Sequence, residues 1–235
     1  MLNYFRKIRN KLLIEGNLRK YLTYAAGEIV IVVIGILLAL YLNNLNQNRI
    51  NNKLEIQYYQ RIKNQLNDDL RTLNGEINYN QNFLNQFTYA RKLILLNDRS
   101  KTDTLGHIAV NMVRYSDFRR KSSIYQTLVN SGEIINISNY NITEKLQRLE
   151  ELYTYINRLE DQQSTFIISQ IIPDIKNVLR FYPLLIENPE AFFCYKFQND
   201  FVILIDVSGE KEKVYKQAQD EINSIIELVN KELGI

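Results

Sequence analysis

The sequence predicts an all-α fold: an N-terminal amphipathic helix, then one transmembrane helix that continues into an antiparallel bundle of three long and two short helices. Two observations predict it. One apolar run is as long as a membrane span, and apolar residues elsewhere recur at helical spacing. The 235 residues also contain only three Pro and eight Gly, a composition that argues against disorder and against a turn-rich β-protein. We divide the chain into a head at 1–20, a span at 21–43 and an external domain at 44–235.

The charge distribution indicates a membrane protein. The whole chain has a formal net charge of +3. Residues 1–20 carry six basic side chains and one acidic side chain, a net charge of +5, so the other 215 residues carry −2. A basic head before an apolar run is typical of membrane topology, whereas nucleic-acid binding requires a basic surface on the folded domain. We therefore expect a lipid bilayer as a partner and no nucleic acid.

The apolar run extends from Tyr21 to Leu42, and Glu28 is its only charged residue. A bilayer core of about 30 Å is crossed by about 20 helical residues. The run ends in Leu40-Tyr41-Leu42-Asn43-Asn44, which lacks the small residues of a signal-peptide cleavage site. We interpret the run as an uncleaved signal anchor. The alternative, a buried helix of a soluble protein, requires a large apolar core that no other segment supplies.

Basic residues near the span predict its orientation. Six precede it, and only Arg49 and Lys53 follow within the first dozen positions. The positive-inside rule then places the N-terminus in the cytoplasm and residues 44–235 in the periplasm, with the span in the inner membrane. Within the head, Met1, Phe5, Ile8 and Leu12 share one helical stripe. Two interpretations stand: an amphipathic helix lying on an anionic leaflet, or a frayed positive tail.

One face of the span has the pattern of a packing seam, formed by Glu28, Val32, Gly35 and Ala39 at a 3.5-residue period. The Gly35-x-x-x-Ala39 pair allows close approach of two transmembrane helices. The seam predicts self-association or docking on another membrane protein; the alternative is a lipid-facing Gly and Ala. Glu28 has three interpretations: snorkelling to the interface, a hydrogen bond between helices, or a protonatable site of an ion-driven machine.

Apolar periodicity and turn residues predict helices in the external domain at 54–97, 104–115, 123–131, 141–182 and 211–233. Asn74-Gly75 is the expected weak point of the first, and Ser131-Gly132 the stop of the third. Residues 183–196 read as an aromatic loop. Residues 197–207 are apolar enough for a strand but have no predicted partner strand, so we favour helix, with a break at Ser208-Gly209.

Several short stretches resemble an uncharacterised family of small single-span membrane proteins found in Bacteroidota. They are FRKIR at 5–9, Lys20-Tyr21, GEI at 27–29, VVIGILLAL at 32–40, Asn43-Asn44, and 124–132 followed by Ile137 and Asn139. Asn130 departs from the family pattern, which has Ser there. The resemblance implies a membrane protein of unknown function and makes Glu28 part of the pattern. It brings no catalytic residues.

No residue pattern indicates an enzyme, a metal site or a cofactor. His107 is isolated, Cys194 reads as a small buried residue, and the adjacent pairs Asp68-Asp69 and Glu150-Glu151 read as solvated helix faces. One aromatic block either lines an apolar ligand pocket or fastens a loop to the core. Its members are Phe181, Tyr182, Phe192, Phe193, Tyr195, Phe197 and Phe201.

The sequence therefore predicts a membrane-anchored scaffold or interaction module of the envelope. Self-association through the seam, or assembly into a larger complex, follows from the 3.5-residue period and the absence of catalytic patterns. Two alternatives remain open: a ligand-sensing external domain, and an accessory subunit of an ion-driven membrane machine that uses Glu28.

Overall fold

The computed structural model describes residues 18–120 and 123–235 and is mostly helical. It divides into two compact units, Met1–Leu54 and Glu55–Ile235. Most of the predicted amphipathic head lies outside the described residues. Helix α1, Leu18–Leu95, includes both the predicted span and the first predicted helix of the external domain. The prediction of a weak point at Asn74-Gly75 is wrong, because the helix passes through both residues without interruption.

In the first unit, α1 presents an apolar surface to its surroundings. Its most apolar 18-residue window has a mean hydropathy of 2.5, and none of that window is buried. Ile31, Val32 and Leu37 are each more than half exposed. By length and composition this helix is able to cross a membrane. An apolar helix of this kind inside a soluble fold would instead be covered by other elements.

The connection after α1 is built from short elements. Asn97 has a positive φ of 51° and ends the helix. A 3₁₀ turn at Arg99–Lys101, capped by Asp98, leads into helix α2, Thr102–Asn111. Residues 114–120 are an extended segment without regular structure, which we call the strap. The helix predicted at 104–115 is therefore shorter at its C-terminal end.

Helix α3, Ile124–Asn130, begins at a capping Ser123, whose hydroxyl accepts a hydrogen bond from the Gln126 amide. It ends at Ser131, and Gly132 follows with φ 73°. The predicted stop at Ser131-Gly132 is thereby confirmed. A side chain disfavours this left-handed conformation, so glycine suits the position. A 3₁₀ turn, Glu133–Asn136, connects to the next helix.

The second long helix of Glu55–Ile235, α4, spans Tyr140–Phe166 and is capped by Asn139. It widens into a π-helical turn at Ile167–Ile171, and α5, Ile172–Val178, follows with Pro173 in its first turn. Proline lacks an amide donor, and a first turn needs none from it. The helix predicted to reach residue 182 therefore ends at 178.

The structure corrects the all-α prediction at one place. Strands β1, Leu179–Phe181, and β2, Leu184–Ile186, form an antiparallel hairpin in which Leu179 pairs with Ile186. Three-residue strands are too short to show an alternating pattern, which is why sequence periodicity missed them. Helix α6, Pro189–Phe192, lies within the segment predicted as an aromatic loop.

The last helix, α7, spans Tyr195–Leu233. The helical interpretation of residues 197–207 is confirmed. The break expected at Ser208-Gly209 is wrong, because α7 passes through both residues. Ser208 is buried there, and its carbonyl accepts a hydrogen bond from Asn80 Nδ2 at 2.8 Å. A packed helical position thus overrides the turn preference of Ser-Gly.

Side-chain contacts join the three long helices in the unit Glu55–Ile235. Gln219 on α7 donates to Asn74 on α1 at 2.7 Å. Tyr153 on α4 donates to Asp69 on α1 at 3.2 Å. An apolar cluster fills the region between the C-terminal part of α1, α2, α5 and the start of α7, and it includes Phe87, Leu105, Ile175 and Phe201.

Candidate functional site

The seam residues Glu28, Val32, Gly35 and Ala39 lie on one face of α1, and all four are exposed. A Cβ added to Gly35 meets no atom within 4 Å. No hydrogen bond or ion pair joins Glu28 to another side chain that the structure describes. The seam thus presents a small-residue surface beside one carboxyl group.

The structure separates the aromatic block into two groups. Phe192, Phe197 and Phe201 are buried in the apolar cluster, and the Phe192 and Phe197 ring centroids lie 4.8 Å apart. Phe193 is partly buried against the same cluster.

Phe181, Tyr182 and Tyr195 are exposed instead, Tyr182 to 94%. The block therefore does not converge on one site. Its buried members fasten α6 and the start of α7 to the core, which is the second of the two interpretations.

A buried polar cluster, which the sequence reasoning missed, lies under the strap. Ser116 and Phe118 in the strap are almost fully buried, together with Lys211 and Tyr215 on α7 and Glu160 on α4. An extended segment makes no helical hydrogen bonds of its own, so its buried peptide groups need other partners. Side chains from the three long helices supply them.

Each long helix contributes one polar contact to the strap backbone. Lys211 Nζ donates to the Ser116 carbonyl at 3.2 Å and to its hydroxyl oxygen at 2.7 Å. The Asp117 amide donates to Glu76 on α1 at 3.0 Å. The Phe118 amide donates to Glu160 at 2.8 Å. The strap is therefore held by one cation and two carboxyl groups.

Hydrogen bonds from Tyr215 connect the members of this cluster. The Tyr215 hydroxyl lies 2.5 Å from Glu160 Oε1 and 3.0 Å from Ser116 Oγ. Burial raises the pKa of Glu160, although Tyr215, the Phe118 amide and Lys211 oppose that rise. Burial lowers the pKa of Lys211, and the charge of Glu160 opposes that fall. The opposite charges make it less costly to keep either group ionised in the interior.

A second cluster fixes the end of the strap. Arg120 forms a two-pronged ion pair with Glu150 on α4, at 2.7 and 2.8 Å, and both side chains are 15% exposed. The Arg120 guanidinium also stacks over the Tyr153 ring, 4.5 Å from its centroid. The planar guanidinium permits both contacts at once. Arg120 thus links the strap to α4.

The interpretation of the two adjacent acidic pairs as solvated helix faces is wrong for one member of each pair. Asp69 is buried and accepts hydrogen bonds from Tyr153 and Gln65. Glu150 is mostly buried in its ion pair with Arg120. Burial raises the pKa of Asp69 and opposes the lowering of the Glu150 pKa by Arg120. Adjacent residues on a helix point in different directions, so one member of each pair meets the interior.

A polar cleft of about 520 Å³ lies beside the strap. Charged and amide side chains line it: Asp117, Arg119, Arg120, Ser123, Gln126, Asn157, Glu160 and Asp161. Such a lining suits a polar ligand rather than the apolar one considered from the aromatic block.

The other reactive residues do not converge on a site. His107 is exposed and Cys194 is partly buried as a free thiol. Among residues 18–120 and 123–235, no three His, Cys, Asp or Glu side chains are grouped to hold a metal ion.

The polar cluster did leave a signal in the sequence. Leu204, Ser208, Lys211, Tyr215 and Ala218 follow one another at helical spacing on the buried face of α7. A serine and a lysine therefore interrupt an otherwise apolar stripe. A charged residue at such a position needs a buried partner, and the partner belongs to a distant segment that periodicity does not identify.

Comparison with known proteins places the chain in a family without assigning an activity. No curated protein and no solved structure matches it. A family model matches residues 28–167, which include the seam, the strap and Glu160 but exclude Lys211 and Tyr215. Because the match covers more than half of the 235 residues, the chain belongs to DUF6090, a family of unknown function.

Proposed function

We propose that this chain is a membrane-anchored envelope protein that acts as a scaffold or interaction module, through self-association of its transmembrane helix or within a larger complex. The exposed seam on α1 is the observation that carries the proposal. Gly35 and Ala39 permit close helix contact, and Glu28 adds a polar group that a neighbouring helix is able to satisfy. All three are exposed and open to a partner.

The proposal includes a topology. Residues 1–20 lie in the cytoplasm, the span crosses the inner membrane, and residues 44–235 form a periplasmic antiparallel bundle. The excess of basic residues before the span supports this orientation. The pairs Asn74–Gln219 and Asn80–Ser208 support opposite directions for α1 and α7. The resemblance to small single-span proteins of Bacteroidota supports the same placement.

Bulk added to the seam tests self-association. We expect Gly35→Leu to weaken it, because the larger side chain separates the helices. Ala26→Leu is the matched control: it adds similar bulk within the apolar segment, on the opposite face of the helix. Cross-linking in native membranes, and light scattering of the full chain in mild detergent, measure the assembly. A wild-type chain that stays monomeric at high concentration, with no cross-linked partner in membranes, contradicts the proposal.

Glu28→Gln separates a scaffold from an accessory subunit of an ion-driven machine. Glutamine retains hydrogen bonding but cannot ionise. A scaffold keeps its assembly with this substitution. If the variant assembles like the wild type but cannot replace it in cells, the result supports the ion-driven alternative instead.

The polar cleft favours ligand sensing as a second candidate function. A polar ligand that binds there stabilises the folded chain in proportion to its concentration above Kd. Thermal-shift screening of the full chain in detergent against polar metabolites tests this function. Arg119→Gln changes the lining of the cleft while leaving the ion pair of Arg120 intact. The substitution should therefore abolish any rise in melting temperature that results from ligand binding in the cleft.

A further inference from the structure

Two buried aspartate side chains, away from the strap, interact with each other in the apolar part of the domain. Asp174 is on α5 and is 6% exposed; Asp200 is on α7 and is 7% exposed. Their chain neighbours Ile175 and Phe201 belong to the apolar cluster. The Oδ2 atom of each carboxyl group has no N–H or O–H donor in the described part of the chain. Buried carboxyl oxygens without donors are rare, so each calls for a physical explanation.

One cation serves both carboxyl groups. Lys196 Nζ donates a hydrogen bond to Asp174 Oδ1, and the lysine side chain is 56% exposed. Cys194 interacts electrostatically with Lys196 and is the remaining titratable group in the set. When both aspartates are ionised, two negative charges face one positive charge. The excess negative charge is buried, which is unfavourable unless a proton neutralises it.

We propose that Asp200 is protonated in the folded domain and shares its proton with Asp174 in a hydrogen bond, and that loss of this proton loosens the contact between α5 and α7. In the protonated pair, the O–H of Asp200 donates to a carboxyl oxygen of Asp174. When the proton leaves for solvent, both oxygens lose that bond and the two charges repel.

The electrostatics agree with this geometry. Burial and the charge of Asp174 together raise the pKa of Asp200 to about 6, although Lys196 opposes both effects. The ordinary pKa of an aspartate is about 3.9. Because the folded state holds the proton more tightly, its stabilisation is complete below about pH 4 and is lost as pH rises through about 6.

The loosened contact affects the β1–β2 hairpin and α6. This segment, residues 179–194, connects α5 to α7. The Glu187 amide donates to the Val178 carbonyl at the end of α5, at 2.8 Å. Separation of α5 from α7 therefore exposes the amides of this segment to solvent, and hydrogen exchange detects that opening.

Hydrogen exchange of the full chain in detergent micelles, followed by mass spectrometry, tests the proposal. Asp200→Asn supplies a permanent amide donor for Asp174, and Asp206→Asn is an exposed control on the same helix. At each pH, the exchange rate of residues 179–194 in wild type is divided by the rate in the variant. We expect this ratio for Asp200→Asn to rise about tenfold between pH 5 and pH 7.5. An equal ratio at both pH values, or the same rise with Asp206→Asn, overturns the proposal.

A second measurement does not depend on the folding of that variant. Infrared difference spectra of the wild-type chain should show a protonated carboxyl band that disappears with a midpoint near pH 6. Lys196→Met retains both aspartates and removes the cation that favours the ionised form of Asp200. We expect the midpoint to move to higher pH in Lys196→Met. An unchanged midpoint contradicts the shared proton.

Discussion

Lys211→Met tests whether the polar cluster holds the strap onto the long helices. Methionine preserves the length of the buried side chain and removes only its charge and donors. The substitution deletes two hydrogen bonds to Ser116, at 3.2 and 2.7 Å. It also removes the positive charge that faces Glu160 and Glu76.

The expected loss of folding stability is large because the cluster is fully buried. Removal of one partner from a buried ion pair costs about 3–5 kcal/mol, since the remaining charge is left without compensation. Of the two carboxyl groups that face Lys211, Glu160 is almost fully buried at 3% exposure. The loss should be smaller in acid, because burial already favours the protonated form of Glu160. In Lys211→Met/Glu160→Gln no ionised Glu160 remains, so the double variant should lose less than the sum of the single losses.

Urea denaturation of the full chain in detergent micelles measures the free energy of unfolding. Lys213→Met is the matched control, since the lysine side chain is 74% exposed and forms an ion pair with Glu210 at 3.2 Å. We expect the control to change stability by less than about 0.5 kcal/mol. A Lys211→Met loss no larger than that of the control, or a loss that grows in acid, would refute this account of the strap.

Three further expectations use the same assay. Gly132→Ala should lower the free energy of unfolding by about 1 kcal/mol, because φ is 73° at this position, although no atom lies within 4 Å of the new methyl group. A variant as stable as the wild type would show that the turn adjusts freely. Gly209→Ala should instead stabilise α7 by about 0.5–1 kcal/mol, because alanine favours the helical conformation. Phe201→Ala should lower the free energy of unfolding by about 3–5 kcal/mol, since the ring is fully buried and its centroid lies 5.9 Å from that of Phe87. Tyr195 is exposed, so Tyr195→Ala should lower it by less than about 0.5 kcal/mol. A loss for Tyr195→Ala comparable to that of Phe201→Ala would contradict the assigned core.

The elements that periodicity predicts well are those with a long one-sided stripe. Residues such as Tyr58, Ile62, Leu66 and Leu73 recur on one face of α1, and all four are buried. The segment 197–207 was assigned correctly as helix for a different reason, the lack of a predicted partner strand. The packing of a long apolar stripe outweighs the low helix propensity of a single glycine, so Gly75 and Gly209 do not interrupt their helices.

The elements that sequence reasoning missed depend on contacts between distant segments. The β1–β2 hairpin contains three paired positions, too few for an alternating pattern. The strap begins within the helix predicted at 104–115 and continues into the segment before the helix predicted at 123–131. Its burial depends on Glu76, Glu160 and Lys211, which lie on three different helices. Local spacing contains no information about which helices meet there.

The two charged residues on apolar stripes, Lys211 and Glu28, differ in whether the described part of the chain supplies a partner. Lys211 is satisfied within the chain by Ser116 and by the carboxyl group of Glu160. Glu28 is exposed on the face that carries Gly35 and Ala39, and no described side chain bonds to it. A carboxyl group in a span is costly unless water at the interface or a neighbouring helix satisfies it. The seam provides a surface on which a neighbouring helix can approach closely enough to do so. As Lys211 needs a buried partner, we expect Glu28 to need one as well, supplied by a helix beyond this chain. Assembly is therefore the first property to measure.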